Sequence, residues 1–190
     1  MRVIDYADVL KQAASDGLRC VYPNSGAFSP TGEHQIIGWL GPADATIRAD
    51  LAARAVQCPP PYPQSLAAWF GRVWQPMNRP AWLLPKSHWA YELGHAHQDW
   101  LIERLMSLGI DVGELARHTD APALAFGREE SEALTGLMSL LLEHLKTSDY
   151  AILLPGLPVV VTLHHHQQLW WQSGDKDLAE RVLRVAETAS

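Results

Sequence analysis

The chain has 190 residues, 47% of them hydrophobic, enough for one domain with a sizeable core and short for two. Its 21 acidic and 15 basic side chains leave a formal charge of -6, which offers no global attraction to duplex nucleic acid or an anionic membrane. Cys20 and Cys58 are the only cysteines, which excludes a disulfide framework and a four-cysteine metal knot and fits a reducing compartment.

Val3, Ala7, Leu10 and Ala14 recur at helical spacing, so residues 3–16 read as an amphipathic helix stopped near Gly17. Asp5 and Asp8 fall where a signal peptide would need an apolar core of about 7 to 15 residues, so this start is read as mature protein. "LRCVYP" reads as a short strand and "QIIGWLG" as a second, paired with the first across the loop "NSGAFSPTGEH". Residues 42–57, "PADATIRADLAARAVQ", are expected to form a helix that closes at the prolines of "CPPPYPQ". Ser65 then caps a short helix, "LAAWFGRVW", and "PAWLLP" is an extended segment between prolines.

The longest expected helix covers residues 87–108 and stops at Gly109. "DVGELARHT" supplies one or two helical turns, and "PALAF" is expected as an edge strand. "GREESEALTGLMSLLLEHLKTSD" is a second strong helix, with acids in its first turn and His144 and Lys146 near its end, where the helix dipole favours them. The strand "YAILLP", a turn at "GLP", the strand "VVVTLHHHQQLWW" and the helix "DKDLAERVLRVAE" complete the chain. The turn is too short for a parallel crossover, so its two strands should be antiparallel. The expected fold is α+β, a mixed, largely antiparallel sheet covered by helices in a single domain. The run "YAILLPGLPVVVTL" is broken by Pro155, Gly156 and Pro158 and falls below the ~18 residues of a membrane span, which makes a cytoplasmic location the expectation.

Three consecutive histidines are the first candidate site. On one extended strand from Val159 to Trp171, His164 and His166 share the more polar face with Thr162, Gln168 and Trp170, while His165 joins Val161, Leu163 and Leu169 opposite. Two imidazoles two residues apart can meet one ion, and a third ligand would complete a site with an open position. In "HWAYELGHAHQDW", His88, Glu92, His95 and Asp99 follow at spacings of four, three and four and fall in one helical stripe beside the core stripe of Trp89, Leu93, Ala96 and Trp100. His97 points away from it. Glu92 or His95 is therefore the expected third ligand to Zn, Mn or Fe. The bland alternative is a hydrogen-bonded polar sheet face with no ion.

Between Asp50 and Glu92 no acid occurs, while Arg54, Arg72, Arg79 and Lys86 interleave with Tyr62, Trp69, Phe70, Trp74, Trp82, Trp89 and Tyr91. Guanidinium groups beside aromatic faces can hold an anionic or planar ligand, and the same composition suits an interface or a core. Arg72, Trp74, Arg79 and Trp82 are the candidate binding residues of this segment, expected on an exposed patch for ligand binding or self-association as a homo-oligomer. The loop with Ser25, Ser29, Thr31, Glu33 and His34 reads as a connection that could carry function. Both cysteines read as inert thiols.

No H-E-x-x-H, second Glu-x-x-His, G-x-S-x-G, Walker or dinucleotide signature is present, which argues against helical zincins, di-iron bundles, serine hydrolases and nucleotide enzymes. Two readings remain. The first is an accessory protein that recognises a protein partner or small ligand through residues 54–91. The second is a mononuclear metal-dependent hydrolase or oxygenase using His164, His166 and Glu92 or His95.

Overall fold

The computed structural model describes residues 1–41, 54–94 and 99–188. Among these, the chain runs β1 (Arg2–Ile4), α1 (Tyr6–Ser15), β2 (Leu18–Cys20), β3 (Phe28–Pro30), β4 (Gln35–Leu40), β5 (Arg54–Gln57), α2 (Tyr62–Trp74), β6 (Ala81–Pro85), α3 (Trp89–Gly94), α4 (Asp99–Ser107), α5 (Val112–Leu115), β7 (Ala123–Phe126), α6 (Ser131–His144), β8 (Tyr150–Leu153), β9 (Val159–His164), β10 (Gln168–Ser173) and α7 (Lys176–Thr188). Eight strands form one sheet in the order β1-β7-β6-β8-β9-β10-β4-β5, and β2 pairs with β3 separately. Neighbours in the large sheet are antiparallel except β4 and β5. The fold is α+β with a mixed, largely antiparallel sheet, as the element pattern predicts.

Apolar residues fill both faces of the central strands. Along β8, Tyr150 and Ile152 enter one core cluster and Ala151 and Leu153 the other, because successive side chains alternate across the sheet. The larger cluster draws on helices α2 to α7, and the smaller one packs under α1 and the β2–β3 pair. Such double burial explains why "AWLLP", "YAIL" and "VVVTL" read as continuous apolar runs and show no alternation. The connection at residues 155–158 reverses the chain as predicted, with Tyr150 opposite Leu163 and Leu153 opposite Val160. Gly156 takes a φ of +89°, which glycine adopts at little cost, and its N–H donates to the Asp16 carboxylate at the end of α1, 2.9 Å away.

Several local expectations change. Residues 54–57 of the expected helix are the edge strand β5, and the remainder of that helix lies outside the described residues. β2 pairs with β3 and leaves β4 to β10, because the loop folds back within itself. Val3 and Ile4, given to the first helix by periodicity, join Arg2 in the edge strand β1, which moves β7 one place inward. The stretch 87–108 contains α3 and α4, with residues 95–98 outside the described set.

The largest correction concerns the acid-free segment. Trp74 and Trp82, expected on an exposed patch, are 1% and 8% exposed, and Trp69, Phe70 and Trp89 are buried with them. Trp69 meets Trp39 edge-on at 5.5 Å, Trp39 lies 6.2 Å from Trp171, and Phe70 stacks on Trp74 at 5.8 Å. Arg72 and Arg79 remain exposed. Along α2, Trp69, Phe70 and Trp74 face the core and Arg72 faces solvent, so this part of the mixture in sequence is a helix with two faces. No helix among the described residues is long and apolar enough to cross a membrane.

Trp74→Ala should therefore cost about 3–5 kcal/mol of stability and Arg72→Glu no more than about 0.5 kcal/mol, as read from urea unfolding. A Trp74→Ala variant as stable as the wild type would put that ring back among surface groups.

Candidate functional site

The three histidines do not continue one strand. β9 and β10 pair from Val159 opposite Ser173 to His164 opposite Gln168, and residues 165–167 turn the chain. Gln167 has a φ of +55°, the left-handed residue that closes a three-residue hairpin loop. The end of β4 holds this turn from the side, where the Gly41 N–H donates to the Gln167 carbonyl at 3.1 Å. A Cβ at Gly41 would lie 2.5 Å from that oxygen, so the approach requires glycine.

The turn gathers all three rings. Centroids are 4.2 Å apart for His164 and His165, 5.0 Å for His164 and His166, and 4.4 Å for His165 and His166. One ligating nitrogen from each lies within 4.8 Å of the others. The expectation that His165 points away from its neighbours fails because alternation ends where the strand ends.

Asp149, just before β8, organises the cluster. Its Oδ1 accepts the backbone N–H of His165 at 3.1 Å and faces the ring Nδ1 of the same residue at 2.8 Å. With an ionised carboxylate the Nδ1–H donates, which leaves the Nε2 lone pair of His165 for a metal. Lys86 Nζ stands 3.7 Å from Asp149 Oδ2, and the Lys86 backbone N–H donates to the Asp149 carbonyl at 2.9 Å. His164 Nδ1 accepts the N–H of His166 at 3.2 Å.

These residues form a row. Pro85 faces Tyr150, Tyr150 faces Leu163, and Gln168 faces His164. One step beyond those first two pairs, Lys86, Asp149, His164 and Gln168 lie side by side at the ends of β6, β8, β9 and β10, on one face of the sheet. Gln168 is almost fully buried; its Oε1 accepts the Trp170 indole N–H at 3.0 Å, and its Nε2 has no hydrogen-bond partner among the described residues.

Burial lowers the pKa of His164, and His165, His166 and Lys86 push the same way against Asp149. The neutral imidazole favoured here is the form that ligates a metal. Burial also lowers Lys86, with the Asp149 carboxylate opposing.

Glu92, the expected third ligand, is fully buried and not among the clustered ligands. It accepts a short hydrogen bond from Ser87 Oγ and interacts with the hydroxyl of Tyr150. Because Tyr150 pairs with Leu163, α3 does pack beside the histidine strand, yet the Glu92 carboxylate is engaged with hydroxyls. His95 lies outside the described residues. His88 Nδ1 accepts the Tyr91 N–H at 3.1 Å at the start of α3. Arg72 and Arg79 lie on the surface without the tryptophans they were expected to accompany. Cys58 is buried and its thiol is pushed up to about 11, chiefly by burial, with Arg72 and Ser65 opposing, which suits an inert core thiol.

Sequence reasoning gives His165 no ligand role, places Gln168 on the histidine face and Lys86 in the acid-free segment without a role at this site, and does not single out Asp149. A signal for two of them was present. Asp149 and Lys86 adjoin apolar strands, and the predicted antiparallel turn at residues 155–158 aligns Asp149 with the histidines once the register is counted out. Comparison of the chain with protein-family models, curated proteins and solved structures gives no match.

Two outcomes test this geometry. Gly41→Ala should displace the turn, moving the ring resonances of all three histidines and costing about 1–3 kcal/mol; unchanged resonances would separate β4 from the turn. Separately, burial raises Cys58 from its ordinary 9.0 and raises Tyr6 and Tyr150 from theirs. Each folded pKa exceeds the unfolded one, so this contribution is complete below about pH 9 and is lost as pH rises toward and through the folded values. Unfolding midpoints should fall above that pH, and less steeply in Tyr150→Phe and Cys58→Ala.

Proposed function

We propose that the protein binds one divalent transition-metal ion through His164, His165 and His166, at a site with a coordination position open to solvent. The observation that carries this reading is the convergence of three ring nitrogens within 4.8 Å, one of them oriented by Asp149. A carboxylate behind a ligating imidazole is the usual means of holding its tautomer and raising its basicity. The partial burial of His164 helps further, because it favours the neutral form of that ring, the form that ligates a metal.

The donor set narrows the metal. Imidazole suits zinc, copper, nickel and iron, while manganese prefers carboxylate and water, so zinc fits better than manganese. Around zinc, at about 2.0–2.1 Å to each nitrogen, tetrahedral ligands stand roughly 3.3 Å apart. Nitrogens within 4.8 Å reach that spacing by side-chain rotation, with His164 releasing the His166 N–H or turning its ring. Three protein ligands and an open fourth position are the arrangement of hydrolytic zinc sites, where a bound water becomes the nucleophile. Among the described residues this favours the hydrolase over the oxygenase alternative. A two-histidine, one-carboxylate oxygenase triad needs a coordinating acid, and Asp149 and Glu92 are both engaged elsewhere. Recognition through residues 54–91 loses the tryptophans it rested on, since Trp74 and Trp82 are buried.

Protein purified without a tag should take up one equivalent of zinc, measured by calorimetry and elemental analysis. His164→Ala, His165→Ala and His166→Ala should each weaken uptake at least tenfold with unchanged near-UV circular dichroism. Asp149→Asn should weaken it by about 10 to 100-fold, the range for an orienting carboxylate. Wild-type protein that leaves dialysis against zinc and iron(II) without metal overturns the reading.

A further inference from the structure

Resting on that metal site, we propose that the open position of the ion is the seat of a small oxyanion, a phosphate or a carboxylate, held between the metal and two donors of the same row, Lys86 Nζ and Gln168 Nε2. Gln168 Nε2 has no partner among the described residues, and the Lys86 ammonium, ion-paired with the Asp149 carboxylate at 3.7 Å, keeps N–H groups to share with an anion. Gln168 is 1% exposed, and the Trp170 indole, which can only donate, occupies its Oε1. That contact fixes the orientation of the amide and leaves its two N–H groups unpartnered. A buried donor without an acceptor is costly in a fold of this kind, and a bound acceptor is one way to satisfy it.

Placement and charge point the same way. Adjacent strands stand about 4.8 Å apart, so Gln168 flanks His164 on one side and Asp149 and then Lys86 flank it on the other. Among the described residues, Asp149 is the one acid acting on His164, against Lys86 and two other histidines. A divalent ion would add two positive charges to a row in which Asp149 alone opposes Lys86. The half-buried setting strengthens the attraction of that excess for an anion. Without the ion, the Asp149 carboxylate offsets the Lys86 ammonium, so capture of the anion should depend on the metal.

The test uses the full chain with cobalt(II) in place of zinc, because cobalt reports its ligands through visible absorption. Inorganic phosphate and acetate are titrated separately, and the one that moves the bands at lower concentration identifies the source of the oxyanion. The expected result is a saturable band shift in the wild type, at least tenfold weaker in Lys86→Met, retained within threefold in Lys86→Arg, and weakened in Gln168→Glu, which keeps the acceptor for Trp170. Protein with cobalt bound whose bands neither anion moves overturns the oxyanion proposal and leaves the metal reading standing. Equal affinity in Lys86→Met, or equal anion binding by metal-free protein in calorimetry, also overturns it. Failure to bind cobalt or zinc at all removes both.

Discussion

Burial of β6, β8 and β9 on both faces is the constraint from which the rest of the structure follows. Short of their ends these strands have no position that faces water, so neither sheet face can host a charged group there without a large desolvation cost. Leu83, Leu84, Ala151, Ile152, Val160 and Val161 fill both layers, and the only stretches free to carry charge are the strand ends. Lys86 follows β6, Asp149 precedes β8, and His164 ends β9. Polar chemistry is concentrated at one end of the sheet because the interior excludes it.

Antiparallel pairing turns that exclusion into a geometry. Register aligns the first residue beyond one apolar run with the last residue of the next, and four such residues from four strands become neighbours although they span positions 86 to 168. A one-residue slip would exchange the two faces of every strand, and the dense apolar packing on both sides resists it. The histidine turn is consequently anchored twice, by Asp149 through the His165 N–H and by Gly41 through the Gln167 carbonyl. Neither anchor belongs to the hairpin itself.

The same constraint accounts for the tryptophans. Covering a sheet on its helical side takes large side chains, and Trp39, Trp69, Trp74, Trp89 and Trp171 supply them at 0–2% exposure. Edge-on and tilted ring contacts add directional preference to this burial. Two of these indoles, Trp39 and Trp171, have no partner for their N–H groups among the described residues, a cost the fold carries within its apolar layer.

Much of this was legible from residue order alone. Period and punctuation identified α1, α6, α7, the strand over residues 150–154 and the antiparallel turn, because those signals depend on neighbours within about ten residues. The chain also displayed its three histidines and its acid-free aromatic stretch without ambiguity. Tertiary structure decided what each was for. Whether Trp74 and Trp82 faced solvent depended on α6 and on β7, β8 and α1, distant in sequence, and packing placed them inside. Whether His165 joined its neighbours depended on where β9 stopped, which Gly41 and Asp149 settle from other strands. Local sequence sets the preference of each segment, whereas a shared site needs residues 80 positions apart to meet, and only the register of the assembled sheet brings Lys86, Asp149, His164 and Gln168 into line.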